Sequence, residues 1–195
     1  MRELIAIDPG STSANGVAAF QGDRTPLVFS VRGDFNDPVP RYRAIRRCVE
    51  WFGLTLEDDL SGVSLVVEDQ FLGAGTGSFP AAAQVNGSAA VWEAEARRWG
   101  IELLKRIAPA SWRACYGITS HRAGKEKATM TELAWRVFSS FPVDIRDAIV
   151  DDHSLEAFFL GLSVHEGRGE AGRLSSLLSK PLSGRQTRKK QRRTR

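Results

Sequence analysis

Cysteine is scarce in this chain: two residues, Cys48 and Cys115, far apart and in no C-x-x-C spacing. A disulfide framework and a zinc ribbon are thereby excluded, and a reducing cytosol fits. Long apolar runs are missing too. No stretch approaches the roughly 20 residues needed to cross a bilayer, so no membrane association is expected. The opening Met1-Arg2-Glu3-Leu4 carries an acid and leads straight into a strand-like segment, which is not the pattern of a signal peptide. The expected location is therefore the cytoplasm. The glycine-rich stretch Gly73-x-Gly75-x-Gly77 lacks the lysine that follows in a P-loop, so a loop facing a polymer is a better reading than a nucleotide cradle. There is no internal repeat.

Acid is absent from residues 180–195, and this absence organises the charge of the whole chain. That segment holds Lys180, Arg185, Arg188, Lys189, Lys190, Arg192, Arg193 and Arg195. Eight of the 27 basic residues and none of the 23 acidic ones lie there, leaving 19 bases against 23 acids in residues 1–179, a net of −4. A mildly acidic body with a cationic tail suits a polyanion partner, because the tail gains affinity by releasing counterions. A solvated tail that aids solubility is the plain alternative. With 42% hydrophobic and 26% charged residues in 195, one packed domain is expected over 1–166, followed by a basic tail over 167–195.

Two acids stand at unusual places. Leu4-Ile5-Ala6-Ile7 is a short apolar run ending at Asp8-Pro9-Gly10, and Val63 to Val67 is another ending at Glu68. Both read as buried strands that terminate in a carboxylate. Between them, Gly16 to Phe20 and Pro26 to Val31 continue an antiparallel meander, and Arg41 to Phe52 has Tyr42, Ile45, Val49 and Phe52 at helical spacing. Helices are predicted over Pro80 to Trp99, Ala110 to Tyr116, Thr129 to Phe138 and Asp151 to Val164, with a strand over Ile101 to Ile107. Asp151 or Asp152 can cap the last helix, and His165 near its end is a favourable charge there. The order implies an α/β domain with a mixed central sheet, antiparallel meander plus parallel strands, flanked by helices. In such a sheet, groups at the carboxyl ends of adjacent strands converge on one site.

A carboxylate at the end of a buried strand is costly unless compensated, and a divalent cation compensates it directly. Oxygen ligands favour Mg²⁺ or Mn²⁺, and two such ions about 4 Å apart suit phosphodiester hydrolysis. The remaining ligands are sought in Asp151-Asp152-His153-Ser154-Leu155-Glu156. Asp152 and Glu156 are four apart and His153 and Glu156 three apart, so either pair shares a helix face. His153 can ligate a metal or orient the attacking water.

These residues carry a family resemblance along most of 4–165. Ile7-Asp8-Pro9-Gly10-Ser11 resembles the opening strand and first catalytic acid of RuvC-type Holliday junction resolvases. Val67-Glu68-Asp69-Gln70-Phe71 resembles their E-x-x-F segment, and Ala83 to Ala90 with Gly87 their small-residue helix. Pro109-Ala110-Ser111-Trp112-Arg113, then Gly117 and Arg122-Ala123-Gly124-Lys125-Glu126-Lys127, resembles their P-x-x-V-K…G…A-x-K stretch. Asp152-His153-Ser154-Leu155-Glu156-Ala157 resembles their closing acidic pair. The ordered set is more specific than any single motif. The resemblance implies an RNase H-like fold, a homodimer, two Mg²⁺ or Mn²⁺ ions per site and nicking of four-way DNA junctions. It implies metal binding or catalysis by Asp8, Glu68, Asp152, His153 and Glu156. It also implies DNA contacts by Phe71, Arg113, Arg122, Lys125 and Lys127, and the tail residues Lys189, Lys190, Arg192 and Arg193 join them on charge. Either Lys125 or Lys127 matches the family lysine. Two departures stand out: Glu156 where the family usually has Asp, and Arg113 where it has Lys.

Two other functions are compatible with parts of the sequence. Asp8-Pro9-Gly10-Ser11-Thr12 also resembles the phosphate loop of actin-like ATPases and sugar kinases, although the chain is about half the length of such two-domain enzymes and lacks their second phosphate motif. A junction-binding protein whose site Glu156 has inactivated is the third reading.

Overall fold

The computed structural model describes residues 3–10, 14–33, 37–69, 79–116, 130–135 and 151–166. Strand β1 (Leu4–Asp8) lies at the centre of a five-stranded sheet ordered β3-β2-β1-β4-β5. Its apolar residues are wholly buried because helices cover both faces, which is why the strand reads as a continuous apolar run rather than an alternating one. β2 (Ala14–Phe20) runs antiparallel to β1, and β3 (Leu27–Arg32) antiparallel to β2. β4 (Ser64–Glu68) pairs parallel to the other side of β1, and β5 (Glu102–Ile107) parallel to β4. The meander plus parallel strands expected from the sequence is the observed sheet.

The helices are α1 (Val39–Trp51), α2 (Phe79–Arg98), α3 (Pro109–Cys115), α4 (130–135) and α5 (Asp152–Glu166). α1 begins two residues earlier than its apolar spacing suggests, because Pro40 sits in the first turn, where a missing N–H costs nothing.

Side chains alternate across each strand. Ile5 and Ile7 of β1, with Val17, Leu65 and Val67, pack under α1 and α2 against Ile45, Val49 and Trp92. Leu4 and Ala6, with Phe20 and Val66, pack on the other face against Phe158 and Leu162 of α5 and Trp112 of α3. Asp8 and Glu68 continue the second set of positions, so both carboxylates are directed to the α5 side of the sheet. α5 lies directly on the strands because Gly161 allows it. A Cβ at position 161 would stand 2.2 Å from the Phe20 ring and 2.8 Å from the Ala6 Cβ.

His165 stands in the last turn of α5, as expected. It is buried, its Nε2 donates to the Gly22 carbonyl at 3.1 Å and its ring lies 5.5 Å from that of Phe20. The Gly22 turn between β2 and β3 supplies an acceptor that sequence spacing cannot reveal.

Candidate metal centre

The start of α5 is fixed by its cap. Asp151 Oδ1 accepts the Ser154 backbone N–H at 2.9 Å, and Ser154 Oγ donates to the Asp151 carbonyl at 2.8 Å. Ser30 of β3 also donates to Asp151 Oδ1, which ties the helix to the sheet. Burial works against ionisation of Asp151, but the bonds from Ser30 and Ser154 outweigh it and hold its carboxyl below the usual range. The cap is therefore Asp151, leaving Asp152 exposed in the first turn. Gly16 completes the approach. It pairs with Asp8 across β1 and β2, and a Cβ there would lie 1.8 Å from the His153 carbonyl oxygen.

This docking brings α5 over the ends of β1 and β4. Asp8, Glu68 and Glu156 converge so that one ligand oxygen from each lies within 4.8 Å of the others. Asp8 is 3% and Glu68 1% exposed, while Glu156 is half-buried. Burial pushes the Glu68 carboxyl well above its ordinary value, and the charges of Asp8 and Glu156 push it further. His153 Nδ1 meets Asp8 Oδ2 at 2.6 Å. A contact that short requires one proton between the two atoms. Burial raises the Asp8 carboxyl against the opposing effect of His153, and the bond to Asp8 raises His153.

Two further groups frame the carboxylates. Arg113 of α3 reaches Glu156 Oε1 through Nη2 at 3.5 Å. Trp112, beside it, donates its indole N–H to Glu68 Oε2 at 2.8 Å in the interior. The two departures from the family pattern, Arg113 and Glu156, are thus neighbours in space.

The sequence-predicted residues divide cleanly. Asp8, Glu68 and Glu156 come together, His153 joins through Asp8, and Arg113 joins through Glu156. Asp152 stands outside the group of three. Phe71, Arg122, Lys125, Lys127, Lys189, Lys190, Arg192 and Arg193 lie outside the described residues. Sequence reasoning passed over Trp112 and Gly16. The first carries a signal, since a buried indole N–H needs an acceptor. The second does not, because a glycine in a strand says nothing of which carbonyl approaches it.

Two buried carboxylates and a half-buried third repel one another, and an oxygen-only set of this kind suits a hard divalent cation that neutralises them. The residues present therefore fit a hard divalent cation, which Asp8, Glu68 and Glu156 would hold.

No protein-family model matches the chain, and no curated protein matches it. Solved structures do. Thermus thermophilus RuvC in complex with Holliday junction substrate superposes with a TM-score of 0.54 at 13% identity, covering 87% of this chain and 96% of that one. A second Thermus thermophilus RuvC structure gives 0.51 at 15% identity, covering 88% and 97%. The fold is that of RuvC. It is an RNase H-like arrangement, with the mixed five-stranded sheet and flanking helices described above. At these identities the likeness is one of architecture. β1 and β4 are parallel neighbours, which is why their carboxyl ends share one site, and the side-chain distances above belong to this chain alone. Among the described residues, no helix is long and apolar enough to cross a membrane.

Proposed function

We propose that this protein is a divalent-metal-dependent DNA endonuclease that hydrolyses phosphodiesters in branched DNA, with four-way junctions as its substrate and a homodimer as its working form. The carrying observation is the convergence of Asp8, Glu68 and Glu156 within 4.8 Å at the end of a RuvC-fold sheet. The resemblance of the ordered motifs supports the substrate and the two ions per site.

When bound, Mg²⁺ or Mn²⁺ supplies neutralisation of the three carboxylates, polarisation of the scissile phosphate and acidification of the attacking water. Asp8 and Glu68 are the rigid ligands, since their strands are buried on both faces. Glu156 comes from a helix and is half-buried, so it can adjust. His153 is 38% exposed at its side chain and touches Asp8, which suits it to pass a proton between solvent and the site. Asp152 is exposed in the same turn and stands outside the group of three. Arg113 places a permanent positive charge beside Glu156, where a phosphate oxygen can receive two of its N–H groups. The attacking oxygen joins phosphorus as one P–O bond to the sugar breaks, and the leaving oxygen takes up a proton. Phe71, Arg122, and Lys125 or Lys127 contact the junction, and Lys189, Lys190, Arg192 and Arg193 hold its backbone.

Asp8→Ala and Glu68→Ala are each expected to lower junction cutting at least about a thousandfold, ~4 kcal/mol of barrier, while retaining junction binding. Gel-shift and cleavage assays on one synthetic four-way junction measure both. Undiminished cutting by Asp8→Ala contradicts the assignment, and intact binding without cutting by the unaltered protein favours the non-catalytic reading.

A further inference from the structure

Trp112 sits where the proposed chemistry gives it no part. Its ring is 1% exposed, and its indole N–H ends on Glu68 Oε2 at 2.8 Å. The guanidinium carbon of Arg113 lies 5.1 Å from the centre of the same ring, and Arg113 reaches Glu156. Contacts therefore run from Glu68 through Trp112 and Arg113 to Glu156, linking two of the three carboxylates.

The type of donor matters. A lysine or arginine bonded to Glu68 would fix the carboxylate but cancel the charge that attracts a cation. An indole is neutral. It fixes the carboxylate without placing a positive charge beside it, and an indole has no second protonation state in the ordinary pH range. Groups that bond to ligand carboxylates in this way orient them and tune cation affinity. An ordinary core tryptophan needs only some acceptor for its N–H. This one uses a carboxylate of the group of three.

We propose that Trp112 is a positioning residue for cation binding, holding Glu68 in its ligating orientation through the indole N–H while its ring face steadies Arg113. This inference rests on the metal-site reading above. Trp112→Phe keeps a buried aromatic ring and removes the N–H. It is expected to weaken Mn²⁺ binding about 10- to 100-fold, to shift the Mn²⁺ concentration for half-maximal cutting by the same factor, and to recover cutting at saturating Mn²⁺.

Calorimetric titration of the full chain and of Trp112→Phe with Mn²⁺ separates the outcomes. No binding by the unaltered protein overturns the metal-site reading itself. Equal affinity in both proteins overturns the role of Trp112 and leaves that reading standing. Weakened affinity, with cutting recovered at high Mn²⁺, supports it, whereas lost stability with unchanged affinity marks a purely structural tryptophan. If the variant does not fold, the Trp112 indole N–H resonance of the unaltered protein is followed during a Mg²⁺ titration. Movement with the calorimetric midpoint supports the proposal, and a stationary resonance contradicts it.

Discussion

Glu68 shows at the scale of one residue how function opposes stability. Its carboxyl keeps a proton in the folded chain at pH values where the unfolded chain, near its ordinary 4.5, has lost it, and Asp8 behaves likewise above 3.8. The folded state then binds more protons than the unfolded state, so stability falls as pH rises through that window and stays reduced at neutral pH. Without divalent cations, Glu68→Gln is expected to raise the melting temperature at pH 7 by several degrees, with the gain shrinking toward pH 4. The same variant is expected to lose the stabilisation that Mn²⁺ gives the unaltered protein, which mass action sets by the ratio of concentration to Kd. Thermal melts across pH, with and without Mn²⁺, check both. A melting temperature lowered by Glu68→Gln at pH 7 contradicts the account of a repulsive buried cluster. Asp8 and Glu68 were legible in the sequence because an acid that ends a buried apolar run is costly to fold and so points to a compensating cation. The choice among Asp152, His153 and Glu156 was not, since helical spacing permits two pairings and only the docking of α5 selects Glu156 for the group of three.

At the scale of elements, α5 is the part that assembles the site, and two glycines set its position. Gly161→Ala forces a Cβ into the Phe20 ring and the Ala6 side chain, and such overpacking costs about 1–3 kcal/mol. Gly16→Ala drives against the His153 carbonyl, which is backbone and cannot swing aside. Gly161→Ala is therefore expected to act on stability first, lowering the denaturation midpoint. Gly16→Ala is expected to reduce cutting at least about tenfold even where the chain remains folded, because the displaced turn carries both His153 and the path to Glu156. Denaturant melts and cleavage rates on the two variants distinguish these effects, and a Gly16→Ala protein with full activity contradicts the tight docking. The strands were readable as short apolar runs bounded by turn residues and the helices from period-3.6 patterns, with ends displaced by a residue or two where both ends are described. Side-chain partners across elements, such as Ser30 with Asp151 or His165 with Gly22, carry no periodic signal.

At the scale of the whole molecule, the charge asymmetry and the site assign different tasks to different parts of the chain. Residues 1–179 are net negative, so the proposed attraction to DNA would fall on residues 180–195 and on local cations such as Arg113. Removing 180–195 is expected to make junction affinity less dependent on salt, by roughly 0.9 in the logarithmic slope for each phosphate that the tail no longer neutralises. Cutting of junctions that remain bound should persist. Affinity titrations at several salt concentrations measure that slope, and an unchanged slope contradicts a DNA-binding tail. The fold as a whole was legible because ordered motifs, strand-end acids and the element sequence agree with one another. The most direct test of the central claim is to incubate the full-length protein with a strand-labelled four-way junction, with and without Mn²⁺, and map the cut positions. Mn²⁺-dependent nicks placed symmetrically on two opposing strands, absent with Asp8→Ala, are the expected result. Cutting that persists without divalent cation, or no cutting in its presence, would contradict it.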